Sequence, residues 1–178
     1  YGKKTSNAYF RQKNYVYFQK FIDGDRLDTR VNIAGNVITG YFRKSKGKDF
    51  RASGSGIVIK EDLPVEAIEV AIKTYRSIGK AMLGVDMMKD TNGKYWIIEI
   101  SPFIGVKTPI QLKVNNIPGS YFLLNDGTLE FRRESYWPQE LALKVFLEQN
   151  YLYTLDEWKS IFLVPGLSTG RLAKRFTI

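Results

Sequence analysis

The chain reads as an α+β protein built on a largely antiparallel sheet. Turn-forming dipeptides stand between strand-like runs at Gly35-Asn36, Asn92-Gly93 and Asp126-Gly127. Such pairs join antiparallel neighbours because both positions tolerate the backbone angles of a tight turn. Pro64 and Pro138 each open a helical stretch, as proline does in a first turn where its missing N–H costs nothing. With 178 residues, 44% of them hydrophobic, the chain can bury a substantial core in one domain. No internal repeat and no low-complexity linker interrupts it.

Residues 1–14 are polar and basic, without clear period. Tyr15 to Ile22 reads as a strand, and Asp23-Gly24-Asp25 as a turn. Asp28 to Ala34 and Val37 to Arg43 are two strands of a hairpin turning at Gly35-Asn36. Lys44 to Gly56 holds three glycines, four basic residues and one acid, the composition of a mobile basic loop. A short strand is expected over Gly56 to Lys60. Val65, Ile68, Ile72, Tyr75 and Ile78 then recur at helical spacing until Gly79 stops the helix. The Asn92-Gly93 hairpin follows, from Ala81 to Ile100. After Pro102, Asn115 to Ser120 reads as a loop, and a third hairpin turns at Asp126-Gly127. A helix runs from Pro138 to about Gln149. Thr154 with Glu157 forms a capping box for a short helix ending before Pro165-Gly166.

The central hairpin carries the chemistry. A two-residue loop at Asn92-Gly93 pairs Thr91 with Lys94, and counting back places Asp86 directly opposite Glu99. A four-residue loop gives the same register; a three-residue loop breaks it. Val85, Met87, Trp96, Ile98 and Ile100 then form a core face, and the other face holds the two acids with Ser101. Paired carboxylates about 5 Å apart repel each other. A hard divalent cation held by oxygen ligands turns that repulsion into a site. The alternative is two solvated surface acids that splay apart or find lysines.

Composition narrows the chemistry further. The chain has neither cysteine nor histidine. That excludes disulfides, thiol nucleophiles, Ser-His-Asp triads and histidine-ligated zinc. Carboxylates, lysines, arginines, hydroxyls and a bound cofactor remain. No run is long and apolar enough to span a membrane, and a cytoplasmic location is expected. The net charge of +9 suits an anionic partner, either a phosphorylated small molecule or nucleic acid. Solvated surface lysines are the plainer explanation for most of it.

The order of these pieces resembles the C-terminal half of an ATP-grasp domain, in the branch of ribosomal-protein glutamate ligases and glutathione synthetase-like enzymes. Gln19-Lys-Phe-Ile22, Asp28-Thr-Arg30, Asp49-Phe-Arg51, Gly84-Val-Asp86 and Glu99-Ile-Ser-Pro102 carry the resemblance. It implies a lobe over 15–104, preceded by a basic segment over 1–14 and followed by an extension over 105–178. It also implies that ATP and Mg²⁺ (or Mn²⁺) are bound. Lys20 and Phe21 look like the strand whose backbone meets adenine, and Asp28 like an acid near the nucleotide. Arg30, Arg43 and Arg51 match basic positions near phosphates and the acyl substrate, with Ser53 beside the nucleotide. Asp86, Glu99 and Ser101 match the metal-holding positions.

Two positions depart from the family pattern. Ser101 and Ser53 stand where the family carries asparagine in its Glu-x-Asn and Arg-x-Asn motifs. The family clamps ATP between two lobes, and the residues before Tyr15 are too few for the other lobe, so a piece of a longer polypeptide is expected. The implied activity joins a small-molecule or peptide carboxylate to an amine or thiol through an acyl-phosphate. The isolated chain is expected to be inactive. Two other readings stay open. One is a nucleic-acid binder using Lys3, Lys4, Arg11 and Lys13 among Tyr9, Phe10, Tyr15 and Tyr17. The other is a non-catalytic relative that acts as a scaffold.

Overall fold

A computed structural model describes residues 18–45, 57–79, 82–106 and 108–151. In chain order the elements are β1 (Gly24–Ala34), β2 (Val37–Lys44), β3 (Ile57–Ile59), α1 (Val65–Ile78), β4 (Met82–Asp90) and β5 (Tyr95–Ser101). They continue as β6 (Leu112–Val114), β7 (Ile117–Leu123), β8 (Leu129–Arg132) and α2 (Pro138–Tyr151). The strands run β5-β4-β1-β2-β7-β6, with β3 beside β2 and β8 beside β7. Every strand pairing among the described residues is antiparallel, so the α+β expectation holds.

Alternation along β1 separates the two faces of the sheet. Val31 and Ile33 point to one side and meet Val85, Leu83 and Ile38. Helix α1 covers that side with Ala67, Ile68 and Ala71. Pro64 precedes its first turn, and Gly79 ends it at φ 65°, a left-handed angle that glycine adopts without a Cβ clash. The apolar stripe is narrower than the sequence suggests, since Val65 and Ile78, at the helix ends, are exposed. The opposite face is apolar at one end, where Ala34, Val37 and Phe122 meet Leu141 of α2. Further along, it carries Asp28, Arg30, Asn32, Thr39 and Asp86, all buried.

The β1–β2 turn is as expected, with Ala34 opposite Val37. Three other expectations change. Residues 18–22 form no strand; Phe18 to Phe21 are exposed, and the segment is tied down where the Asp23 carbonyl accepts from Thr91 N–H at 3.1 Å. Asn115 and Asn116 form a tight turn between β6 and β7 rather than opening a loop to Ser120. Both take left-handed φ angles, 51° and 64°, which asparagine tolerates better than other side chains. Tyr15 to Tyr17, the basic loop and the helix after Thr154 lie outside the described residues.

The central hairpin reaches its expected register by another route. The Asp90 amide donates to Lys94 O and Gly93 N–H donates to Asp90 O, which leaves Thr91, Asn92 and Gly93 as a three-residue loop. Alone, this loop would slip the register by one. A β-bulge between Asp86 and Met87 restores it: Met87 faces Ile97, Asp86 faces Glu99, and Ile98 is the extra residue. The core face is therefore corrected near the turn. Ile97, not Ile98, lies opposite Met87, and Trp96 shares the site side with Met88 and Asp28.

Candidate functional site

Four charged side chains form a checkerboard on the polar face. Asp28 and Arg30 are two residues apart on β1 and so share that face. Arg43 on β2 lies opposite Asp28, and Asp86 on β4 lies opposite Arg30. Arg30 Nη1 donates to Asp86 Oδ2 at 2.7 Å, and Arg43 Nη2 contacts Asp28 Oδ2 at 2.5 Å. Arg43 Nη2 also approaches Asp86 Oδ1 to 3.0 Å, but no N–H is aimed along that line, so this oxygen has charge nearby and no hydrogen bond. Asp28 Oδ1 and Arg43 Nε are likewise buried without a hydrogen-bond partner.

Burial pushes the Asp28 carboxyl up to about 6, and the negative charge of Asp86 adds to the rise; Arg43 and Arg30 oppose it without cancelling it. Desolvation penalises the charged form more than the arginines repay. At Arg43 the neighbouring acids win over burial, and the guanidinium stays protonated more firmly than usual.

Gly84 explains the first residue of the Gly84-Val-Asp86 motif. It faces Asn32 across β1 and β4. A Cβ there would lie 2.9 Å from Arg30 Cζ, so only glycine leaves room for the guanidinium to lie across β4. Arg30 is then held on three sides, since Nε donates to Asn32 Oδ1 at 3.1 Å and Nη2 reaches Phe103 O at 3.4 Å.

The remaining predicted positions sit at different depths. Glu99 lies opposite Asp86 but is exposed on β5. Ser101 lies opposite Gly84; its hydroxyl donates to Phe103 O at 2.7 Å and accepts from Phe103 N–H at 3.3 Å. Lys20 stands 5.8 Å over the Trp96 ring, whose other close cation is Lys94 at 4.1 Å. Trp96 Nε1 donates to Asp90 Oδ2 at 2.7 Å, which together with the turn amides holds the Asp90 carboxyl below its usual range. Phe21 is 72% exposed. Arg51 and Ser53 lie outside the described residues. Among the described residues no three acidic side chains gather as a metal cage. The facing carboxylates are Asp86, whose Oδ1 lies 3.0 Å from Arg43 Nη2 without a hydrogen bond, and the exposed Glu99 across from it.

Sequence reasoning missed Asn32 and Gln111, which are 2% and 3% exposed and hydrogen-bonded to each other at 2.8 Å. The signal for Asn32 was present: it continues the polar alternation Asp28, Arg30, Asn32 along one face of a strand. Gln111 had none, because its partner lies 79 residues away.

A family model described as the RimK-like ATP-grasp domain matches residues 3–117, more than half of the chain. No curated protein gives a significant match. Among solved structures, the macrocyclase MdnC bound with precursor peptide MdnA from Microcystis aeruginosa MRC is similar at 21% identity and a TM-score of 0.35. That alignment covers 44% of this chain and 26% of the MdnC chain. No helix among the described residues is long and apolar enough to cross a membrane.

Proposed function

Because the chain belongs to the RimK-like ATP-grasp family, we propose that it supplies the nucleotide- and magnesium-holding lobe of an ATP-dependent ligase. The ligase would join a carboxylate to an amine or thiol through an acyl-phosphate. The observation that carries this reading is the buried checkerboard of Asp28, Arg30, Arg43 and Asp86, with Glu99 directly across from Asp86.

Each residue has a chemical task in this reading. Asp86 and Glu99, with Ser101 beside them, hold the cation through oxygen atoms. Mg²⁺ supplies charge neutralisation on the nucleotide phosphates when bound. Arg30 and Arg43 present planar donors to phosphate or carboxylate oxygens. Arg30 is oriented by Asp86 and Asn32 beforehand, so little reorganisation accompanies charge transfer. Asp28 tethers Arg43 and matches an acid near the nucleotide in the family arrangement. The backbone at Lys20-Phe21 meets the adenine. Arg51 and Ser53 join the phosphate contacts on the strength of the resemblance. None of these tasks calls for histidine or cysteine.

The test is an amide-resolved NMR titration with a non-hydrolysable ATP analogue, with and without Mg²⁺, on this chain and on any longer polypeptide that carries it. Mg²⁺-dependent shifts at Met87 to Lys89 and Ile98 to Ser101, abolished by Asp86→Asn, are expected. Their absence from the longer polypeptide at millimolar ligand would sink the reading.

A further inference from the structure

We infer that Gln111 is a positioning residue for Arg30, acting through Asn32. This rests on the reading of Arg30 as a phosphate- or carboxylate-binding group. A single hydrogen-bond chain connects the three side chains to the main chain. Gln111 Nε2 donates to Thr108 O at 3.4 Å, Asn32 Nδ2 donates to Gln111 Oε1 at 2.8 Å, and Arg30 Nε donates to Asn32 Oδ1 at 3.1 Å. Thr39 Oγ1 adds a second donor to Gln111 Oε1 at 3.4 Å.

The polarity of this chain is consistent from both ends, since the Arg30 guanidinium only donates. A backbone carbonyl only accepts. Thr108 O therefore requires the NH₂ group of Gln111, which turns the Gln111 oxygen toward Asn32. That oxygen requires the NH₂ group of Asn32, which turns the Asn32 oxygen toward Arg30. An Asn32 amide flipped the other way would set N–H against the Arg30 Nε–H. Asn32 and Gln111 are almost wholly buried, so water cannot easily substitute for a lost partner. Asp86 fixes one end of the guanidinium and Asn32 fixes Nε. Together they set the plane in which the fork lies, and Gly84 leaves space for that plane.

The test reads the position of Arg30 directly, without nucleotide. In the full chain, the Arg30 Nε–Hε NMR signal is assigned by its loss in Arg30→Lys, and its solvent exchange is measured. Gln111→Met conserves volume and removes the amide, so it should speed this exchange about fivefold, the factor carried by one ordinary hydrogen bond. Backbone amides of Val31 and Ile33, on the other face, should stay within about twofold of their original rates. Gln111→Asn keeps an amide but withdraws it by one methylene, and carries the same test if the methionine variant does not fold. Unchanged Arg30 exchange in a folded variant would overturn the proposal. So would a rise shared by Val31 and Ile33, which would mean general loosening. Nucleotide affinity is measured separately: Gln111→Met should weaken it in the wild-type background and have no further effect in Arg30→Lys. An equal loss in both backgrounds would overturn the positioning role. If the longer polypeptide also shows no affinity, the ligase reading fails, while the exchange result still decides the positioning role.

Discussion

Replacing Asp28 with asparagine should flatten the dependence of stability on pH between about 4.5 and 7.5. Folding raises the Asp28 carboxyl from 3.8 to about 6. A carboxylate raised on folding binds its proton more tightly in the native state, so its stabilising contribution is present at low pH and lost as pH climbs through the native value. The gap between 3.8 and about 6 corresponds to about 3 kcal/mol in all, of which about 2 kcal/mol falls between pH 4.5 and 7.5. No histidine titrates in this window. Asp90, Asp126 and Glu130 are lowered rather than raised, so their effects fall at more acidic pH. Urea unfolding of wild type and Asp28→Asn across this range measures the difference between the two curves. Asparagine should gain about 2 kcal/mol on wild type from the acidic to the basic end. Parallel curves would refute the argument that burial outweighs the two arginines at Asp28.

Three further outcomes follow from the geometry. Gly84→Ala should displace the Arg30 guanidinium and cost about 1–3 kcal/mol, the range for a charged hydrogen bond left unmade; denaturation should show no such cost in an Arg30→Met background. Gly35→Ala should destabilise more than Gly93→Ala. Both glycines take left-handed φ, 60° and 84°, but a Cβ at Gly35 would lie 2.6 Å from Val145 Cγ2 of α2 while Gly93 faces open space; equal melting temperatures would contradict this. Removing Ile98 should leave Glu99 opposite Asp86, because it deletes the extra residue of the bulge. Cross-strand NOEs between the two residues' neighbours would report a slipped register if this is wrong.

Much of the scaffold was legible because its turns are written in residues with special backbone freedom. Gly35, Gly93, Gly127 and Gly79 all adopt left-handed angles, and each marks a boundary visible in the sequence. Asn115-Asn116 escaped notice because neither is glycine and Pro118 follows closely, although Pro118 sits within β7. The Asp86–Glu99 pairing was reached through two compensating irregularities, a longer loop and a bulge, which periodicity alone does not separate. In the site, the motif acids and arginines were visible one by one. Their mutual engagement was not, because Arg30 and Asp86 are 56 residues apart and meet only once β1 and β4 pair.

The bulge at Ile98 also bears on solubility. Among the described residues β5 ends the strand order, and such a margin offers its unpaired amides and carbonyls to any other extended chain. Ile97 and Ile100 are exposed along it, which would make that margin adhesive if it were flat and regular. An extra residue breaks the spacing of those groups and twists the strand locally, and Glu99 places a charge at the same point. The irregularity that sets an acid across from Asp86 thereby also makes this margin a poorer template for an added strand.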